Sequence, residues 1–432
     1  MATALAASYA AVVVVLLPNQ VAALDPANKV ANLALVSTVA FALTIVAQPL
    51  VGALSDRTRS PLGRRAPWAL GGALVAAAAL LCLGGATSLA ALGALWVVAQ
   101  FALNALDIAA SAVVPDEVPS PRRGRTFAVI GAGAVAGGGA AVLVAGRHAD
   151  DPQRVYVALA VLVLVASAVF VLAARPRRGW APAPASTGTA PRDGARRAVS
   201  LLRSMVVDPR KEPLFAHAFA SRFLFVLAYN LVYTYQLFIL TDHLGLATDR
   251  ANRLLGLLTI VSFVAILVSA TVVGRWSDRV GNRVHFMVGA CAVLAAALLV
   301  PLVSPTVGGM VTFAVLKGIA FGAHIAAGNA LVTDVLPDGG TSPGKDLGIY
   351  NVATNIPQTV APAVAGMVIT HLGGYAALFV VASGVACAAL LLGRRVQPGT
   401  DRPAPGKASR AVPQTSGSQD EGPMHQVRTV VA

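Results

Sequence analysis

Apolar residues fill the chain in long runs broken by short polar stretches, and the runs recur from one end to the other. Each is close to the roughly 20 residues a helix needs to cross a hydrocarbon core. Twelve such spans can be placed, at about 3–24, 29–54, 66–86, 89–114, 124–146, 154–174, 213–240, 252–273, 284–303, 307–335, 346–370 and 374–393. The outer helices of a large soluble protein would keep a polar face, and few of these spans have one. The pattern therefore predicts an all-α membrane protein. Composition agrees: charged residues make up only 12 % of the chain, against about a quarter in soluble domains. The first stretch, Met1 to Leu24, lacks the basic start of a cleavable signal and is read as the first helix.

Charge placement adds orientation. The formal net charge is +14, but the arginines sit in short clusters between apolar spans and form no basic domain, which argues against a nucleic-acid partner. Alternate loops carry Arg57, Arg59, Arg64 and Arg65, then Arg122, Arg123 and Arg125, then Arg275, Arg279 and Arg283, and Lys345. The intervening loops are nearly bare or mixed. By the positive-inside rule, both termini are expected on the cytoplasmic side of the cell (inner or plasma) membrane. Cys82, Cys291 and Cys387 lie inside apolar stretches at no metal-ligand spacing, so no metal site and no cofactor are expected.

Internal repetition supplies the architecture. Gly52, Asp56 and Arg57 recur as Gly274, Asp278 and Arg279, an offset of 222 residues (278 − 56). The Pro115-Asp116 pair after the fourth span recurs as Pro337-Asp338 after the tenth, at the same offset (337 − 115). Two independent landmarks at one spacing imply duplicated six-helix halves with a solute site between them. The expected organisation is twelve transmembrane helices in two pseudo-symmetric six-helix bundles, 1–174 and 213–395. Between them lies a Pro/Ala/Gly/Arg-rich linker, 175–212, ending in an amphipathic stretch, and a disordered polar tail follows at 396–432.

The repeated loops also resemble a known superfamily. Gly274, Asp278, Arg279, Gly281 and Arg283 look like the loop after helix 2 of major facilitators. The first copy is expanded, with five residues between Asp56-Arg57 and Gly63-Arg64-Arg65. In this it resembles sucrose:proton symporters and the related glycoside–pentoside–hexuronide:cation symporters. The segment Leu106-Asp107-Ile108-Ala109 is similar to the helix-4 segment of the sucrose-type carriers, whose aspartate couples protons. The resemblance thus implies that Asp107 is the coupling group. Duplication of the loop in register points to gating roles for Gly52, Asp56, Arg57, Gly63, Arg64, Arg65, Gly274, Asp278, Arg279, Gly281 and Arg283 as paired halves rock, with topology-setting charge and a tight turn at Gly63 as the alternative. The second span has no aspartate, so the sodium-site carboxylates of melibiose-type symporters are absent. The fifth span is glycine-rich but lacks the Gly-Pro pair of drug/proton antiporters.

Side-chain spacing nominates the rest of the site. Asp107 lies inside an otherwise uncharged span, where a carboxylate costs several kcal/mol unless paired, hydrated or protonated, and is functional by default. Gln100, Asn104, Asp107 and Ser111 share one helical stripe; a structural interhelical hydrogen bond is the plainer account. Arg222, Tyr229, Tyr233 and Gln236 form a second stripe that could stack on and hydrogen-bond sugar faces, although Arg222 could equally snorkel to the interface. Lys317 and His324 lie seven apart in the tenth span, with Asp107 as a candidate partner for the lysine. Asn329 occupies the repeat position of Asp107. In the eleventh span, Asn351, Asn355 and Gln358 suit hydroxylated ligands, with Pro357 and Pro362 suiting a kinked helix.

Together these features predict a secondary active transporter working by alternating access, with proton-coupled uptake of a sugar or glycoside as the leading expectation. The alternative is proton-driven efflux of a drug or secondary metabolite. No catalytic constellation supports a membrane-embedded enzyme, and no soluble output domain supports a transporter-like sensor. The expected partners are a small solute, protons and the lipid bilayer, with the monomer as the functional unit.

Overall fold

A computed structural model of the chain describes residues 1–58, 60, 65–111, 113, 118, 120–173, 213–334 and 343–396. Among them are twelve membrane-scale helices and no strand. They are α1 (Ala2–Leu24), α2 (Lys29–Arg57), α3 (Ala66–Gly84), α4 (Leu89–Ser111), α5 (Ser120–Arg147), α6 (Pro152–Ala173), α7 (Pro213–Tyr233), α8 (Thr248–Val280), α9 (Arg283–Val303), α10 (Val307–Asp334), α11 (Pro343–His371) and α12 (Gly374–Gly393). Eleven are long and apolar enough to cross a membrane; the described apolar part of α2 is the shorter Lys29–Ile45. Each predicted span corresponds to one helix. Residues 174–212 and 397–432, which hold the expected linker, its amphipathic stretch and the tail, lie outside the described residues.

Local chemistry ends the helices where the sequence changes character. Gly281 takes a φ of 71° and closes α8 with a bond from its N–H to the Ser277 carbonyl at 2.9 Å. A β-carbon disfavours this left-handed backbone, so glycine belongs there. One residue on, the Asn282 side chain accepts from the His285 N–H and caps α9. α7 stops at Tyr233, and after a turn the chain continues as a short helix, Gln236–Phe238, and a π-helical segment, Ile239–His243.

The 222-residue offset governs the whole architecture. Shifted by it, α1 to α6 fall on α7 to α12 in order. Packing repeats as well: α1 against α5 and α6, α3 against α4 and α6, and α2 against α4 have their counterparts in α7 against α11 and α12, α9 against α10 and α12, and α8 against α10. Where hydrocarbon offers no hydrogen bonds, serines join helices through neighbouring backbone carbonyls. Ser167 donates to Ala69, Ser221 to Ala389, Ser262 to Ala314, Ser269 to Ile319 and Ser383 to Ala295, at 2.8–3.0 Å.

The two halves meet along two seams, α5 with α8 and α2 with α11, which exchange under the repeat. Both are close because glycine removes the side chain. A Cβ at Gly146 would enter the Asn252 carbonyl, one at Gly256 would stand 2.9 Å from the Leu143 Cα, and one at Gly366 would stand 2.8 Å from the Ala34 Cβ. These contacts lie toward the end of the molecule opposite the arginine-rich loops.

Gly146→Ala should therefore destabilise the protein by about 1–3 kcal/mol, the usual cost of forcing extra volume into a tight contact. Gly131→Ala, on the same helix, should be near neutral, because nothing lies within 4 Å of its added Cβ. Thermal unfolding of the two variants in detergent checks the contrast.

Candidate functional site

Between the halves lies a cavity of about 400 Å³, within the range of small-molecule sites. It is lined by Tyr9 and Val13 of α1, Phe41 and Thr44 of α2, Gln100, Asn104 and Asp107 of α4, and Gly138 of α5 from one half. The other half contributes Asn230 and Tyr233 of α7, Phe263 of α8, and Asn355, Gln358 and Thr359 of α11. The α4 residues reach it because four- and three-residue steps keep one helix face in register. Asn104 Nδ2 donates to the Gln100 carbonyl at 2.8 Å, and Thr44 Oγ1 receives the Gln100 and Asn104 amides at 3.5 and 3.4 Å. Asp107 opens onto the cavity and forms no hydrogen bond or ion pair with the described residues.

The structure sorts the remaining candidates. Tyr233, Asn355 and Gln358 stand on the cavity wall; Tyr229, Gln236, Lys317 and His324 do not. Gln236 leaves the expected stripe because α7 ends at Tyr233, so the turn at Thr234 and Tyr235 breaks the helical phase. Tyr229 instead stacks on Phe321 at 4.3 Å, with Tyr233 at 6.0 Å. Lys317 is 3 % exposed, with Nζ 5.3 Å from the Tyr229 ring, 6.0 Å from that of Tyr233 and 5.2 Å from that of Phe313. Cation–π contact therefore surrounds it in place of an acid. The expected Asp107–Lys317 pairing is not formed. Lys317 occupies the repeat position of Leu95 (317 − 222), twelve residues or about 18 Å of helix rise from that of Asp107. His324 stacks flat on Phe225 at 3.7 Å, and Arg222 donates to Thr354 Oγ1 at 3.0 Å.

Spacing alone missed Tyr9, Phe41, Thr44, Asn230, Phe263 and Thr359. Thr44 carried a partial signal, as a polar residue inside an apolar span, whereas the aromatic residues carried none.

The family model described as the Major Facilitator Superfamily matches residues 1–251 and 237–420. The chain belongs to the major facilitator superfamily. Among solved structures, the nucleoside transporter NupG is similar at 14 % identity and a TM-score of 0.68, covering 92 % of this chain and 98 % of that one. A bacterial homolog of the human lysosomal transporter Spinster is similar in two inward-facing structures at 16 % identity. The occupied one has a TM-score of 0.65, covering 92 % of this chain and 96 % of that one; the unoccupied one has 0.59, covering 91 % and 94 %. At these identities the likeness is one of fold. No curated protein sequence matches the chain. As a major facilitator it is a multi-pass membrane transporter, not an enzyme.

Of the expected gating residues of this major facilitator, Gly63 and Arg64 lie outside the described residues; Asp56 and Arg57 end α2, Asp278 lies in the last turn of α8 and, in the cavity set, Asn351 lies in α11. Arg65 donates to Ser55 Oγ at 2.6 Å and so ties the start of α3 to α2. Gly52 and Gly274 lie in helices, and Arg279 and Arg283 flank the Gly281 turn. At the opposite end the halves are joined by polar contacts that spacing did not reveal. Lys29, at the start of α2, pairs with Asp242 beyond α7 at 2.7 Å, and Tyr375 of α12 donates to the same carboxylate at 2.7 Å. Asn19 and Asn252 exchange amide hydrogen bonds at 2.9 and 3.1 Å, and Tyr235 donates to the Pro362 and Val30 carbonyls.

Burial pushes the Asp242 carboxyl up, but hydrogen bonds from Lys29, Tyr375 and Thr241 and the Lys29 charge outweigh it and hold the group below its ordinary value. A carboxyl with a lower pKa in the sealed form stabilises that form above its released value, about 4. This contribution is lost as pH falls through the lower one. Hydrogen exchange over 25–36 and 236–246, corrected for intrinsic rates, should therefore quicken several-fold from pH 7 to pH 3. Asp242→Asn should exchange at the faster rate at both.

Proposed function

We propose that the chain carries out proton-linked transport of a small hydroxylated solute by alternating access, with uptake of a sugar or glycoside as the leading case. The observation that carries this reading is Asp107: a carboxylate without a hydrogen-bond or ion-pair partner among the described residues, on the wall of a cavity between two halves that are sealed together at one end. A charge so placed must be neutralised before the halves can close around it, and a proton is the smallest neutralising ligand. Support for a hydroxylated solute comes from the amides of Gln100, Asn230 and Gln358 and the hydroxyl of Tyr233, which complement such groups. Phe41 and Phe263 supply apolar faces for a ring. The arginine-rich loops support cytoplasmic termini in the cell membrane, and each monomer carries a complete cavity.

Proton-driven efflux is the second reading, favoured by the apolar share of the lining contributed by Val13, Phe41, Ile45 and Phe263. Proteoliposomes holding a pH dye, challenged with disaccharides, glycosides and hydrophobic drugs, separate the two. Solute-driven proton entry in wild type that vanishes in Asp107→Asn is the expected result. Drug-driven proton exit without any sugar response would replace uptake by efflux. Unchanged coupling in Asp107→Asn would remove Asp107 from the coupling role.

A further inference from the structure

On the α2–α4 wall of the cavity the Thr44 hydroxyl and the Gln100 and Asn104 amide nitrogens each donate to a protein oxygen, and Asp107 brings acceptor oxygens to the same wall. Thr44 donates its hydroxyl to the Ala40 carbonyl at 3.1 Å. With that hydrogen committed, Gln100 and Asn104 must present their amide nitrogens to Thr44 Oγ1, as both do. Gln100 is only 4 % exposed, and its Oε1 is buried without a hydrogen-bond partner. Such an acceptor is unfavourable until something donates to it. Two turns along α4, Asp107 adds two more acceptor atoms and a negative charge. From the other half, Asn230 donates its amide to the Val226 carbonyl at 2.9 Å, which fixes the side chain's orientation because only the nitrogen carries hydrogen. Its Oδ1 is the acceptor that remains, beside the second amide hydrogen. Thr359 likewise donates to the Asn355 carbonyl at 3.0 Å.

No lysine, arginine, histidine or glutamate lines this cavity among the described residues. The titratable groups that share it with Asp107 are Tyr9 of α1 and Tyr233 of α7. Lys317 of α10 is held behind the rings of Tyr229 and Tyr233. One wall is therefore both negative and rich in acceptors, and its complement is a cation rich in donors. An anionic solute would meet the Asp107 charge with no compensating base. A protonated amine offers a unit positive charge and up to three N–H donors, and the faces of Tyr9, Phe41, Tyr233 and Phe263 add attraction for a cation. Across the cavity, the Tyr233 hydroxyl and Gln358 amide remain suited to hydroxyl groups.

The geometry points to a solute that carries a protonated amine on a hydroxylated body, an amino sugar or an amine-bearing glycoside. Its ammonium pairs with Asp107, and its neighbouring donors reach Gln100 Oε1 and Asn230 Oδ1. The inference rests on the cavity being the transport site proposed above and specifies what neutralises its carboxylate. Ammonium and proton then occupy Asp107 in turn: the cation enters, the carboxylic acid gives up its proton to water, and the ion pair forms. Transport of such a solute exchanges it for a proton, so its proton flux runs opposite to the entry that a neutral sugar drives.

Two matched pairs test this with the full chain purified in detergent: glucosamine against N-acetylglucosamine, and 3′-amino-3′-deoxyadenosine against adenosine. Each is titrated by calorimetry in two buffers of different ionisation enthalpy, which counts the protons released. The amine member of a pair should bind at least tenfold tighter than its amine-free partner and release protons. Asp107→Asn should abolish the difference. Gln100→Leu should weaken the amine member several-fold more than the N-acetyl or hydroxyl member. Thermal unfolding confirms that each variant is folded, and Gln100→Leu retains the charge if Asp107→Asn is not. Equal binding of both members, or amine binding without proton release, would overturn the inference. If amine-free members drive protons into proteoliposomes and the amine members bind no tighter, the transport reading stands without the amine. If no compound binds and none moves protons, both fall.

Discussion

A polar group in hydrocarbon has no water to turn to, and that constraint organises this molecule. The backbone answers it by forming helices almost without interruption. Hydroxyls answer it by donating to carbonyls, either one turn back on their own helix, as Ser8 does to Ala4, or across to a neighbour, as Ser262 does to Ala314. Buried polar atoms left without a partner occur on several helices among the described residues, on Tyr9, Ser37, Trp96 and His324 among others. At the cavity, Asp107 opens on the space between the halves and Gln100 Oε1 lies buried beside it, while Lys317 resolves its charge on three rings. The same constraint that assembles the bundle therefore marks where a ligand is needed.

The twelve helices and their duplication were readable from the chain because each depends on a one-dimensional quantity: the length of an apolar run, or a fixed offset between two landmarks. Asp107 was readable for a related reason, since a carboxylate stands out in an uncharged run. The rest of the cavity was less so. Phe41 and Phe263 look like ordinary membrane-facing residues in sequence and become lining residues only when α2 and α8 are set against their partners. Gln236 illustrates the opposite failure: an assumed continuous helix carried its stripe past Tyr233, where the real chain turns. Least readable was the contact between Lys29 and Asp242, which are 213 residues apart and lie in different halves.

Lys317 and His324 separate burial from participation. Both are interior, both lie on one face of α10, and the spacing argument treated them as cavity residues. In three dimensions the aromatic side chains of α7 stand between them and the cavity, with Phe225 and Tyr229 filling the space that two helices with few direct backbone contacts would otherwise leave open. Charge on α10 is thus screened from the solute by a layer of rings, and among the described lining residues α4 carries the acidic charge.

The glycine seams have a kinetic consequence. Where Gly146 meets Asn252, the touching surfaces are backbone against backbone. Such surfaces can separate without any side chain first changing rotamer, so parting them resembles peeling two smooth strips more than withdrawing a key from a lock. The resistance to opening is then concentrated in the few polar clasps at the rim, and the speed of the cycle becomes a property that single residues such as Lys29 and Asn19 can tune.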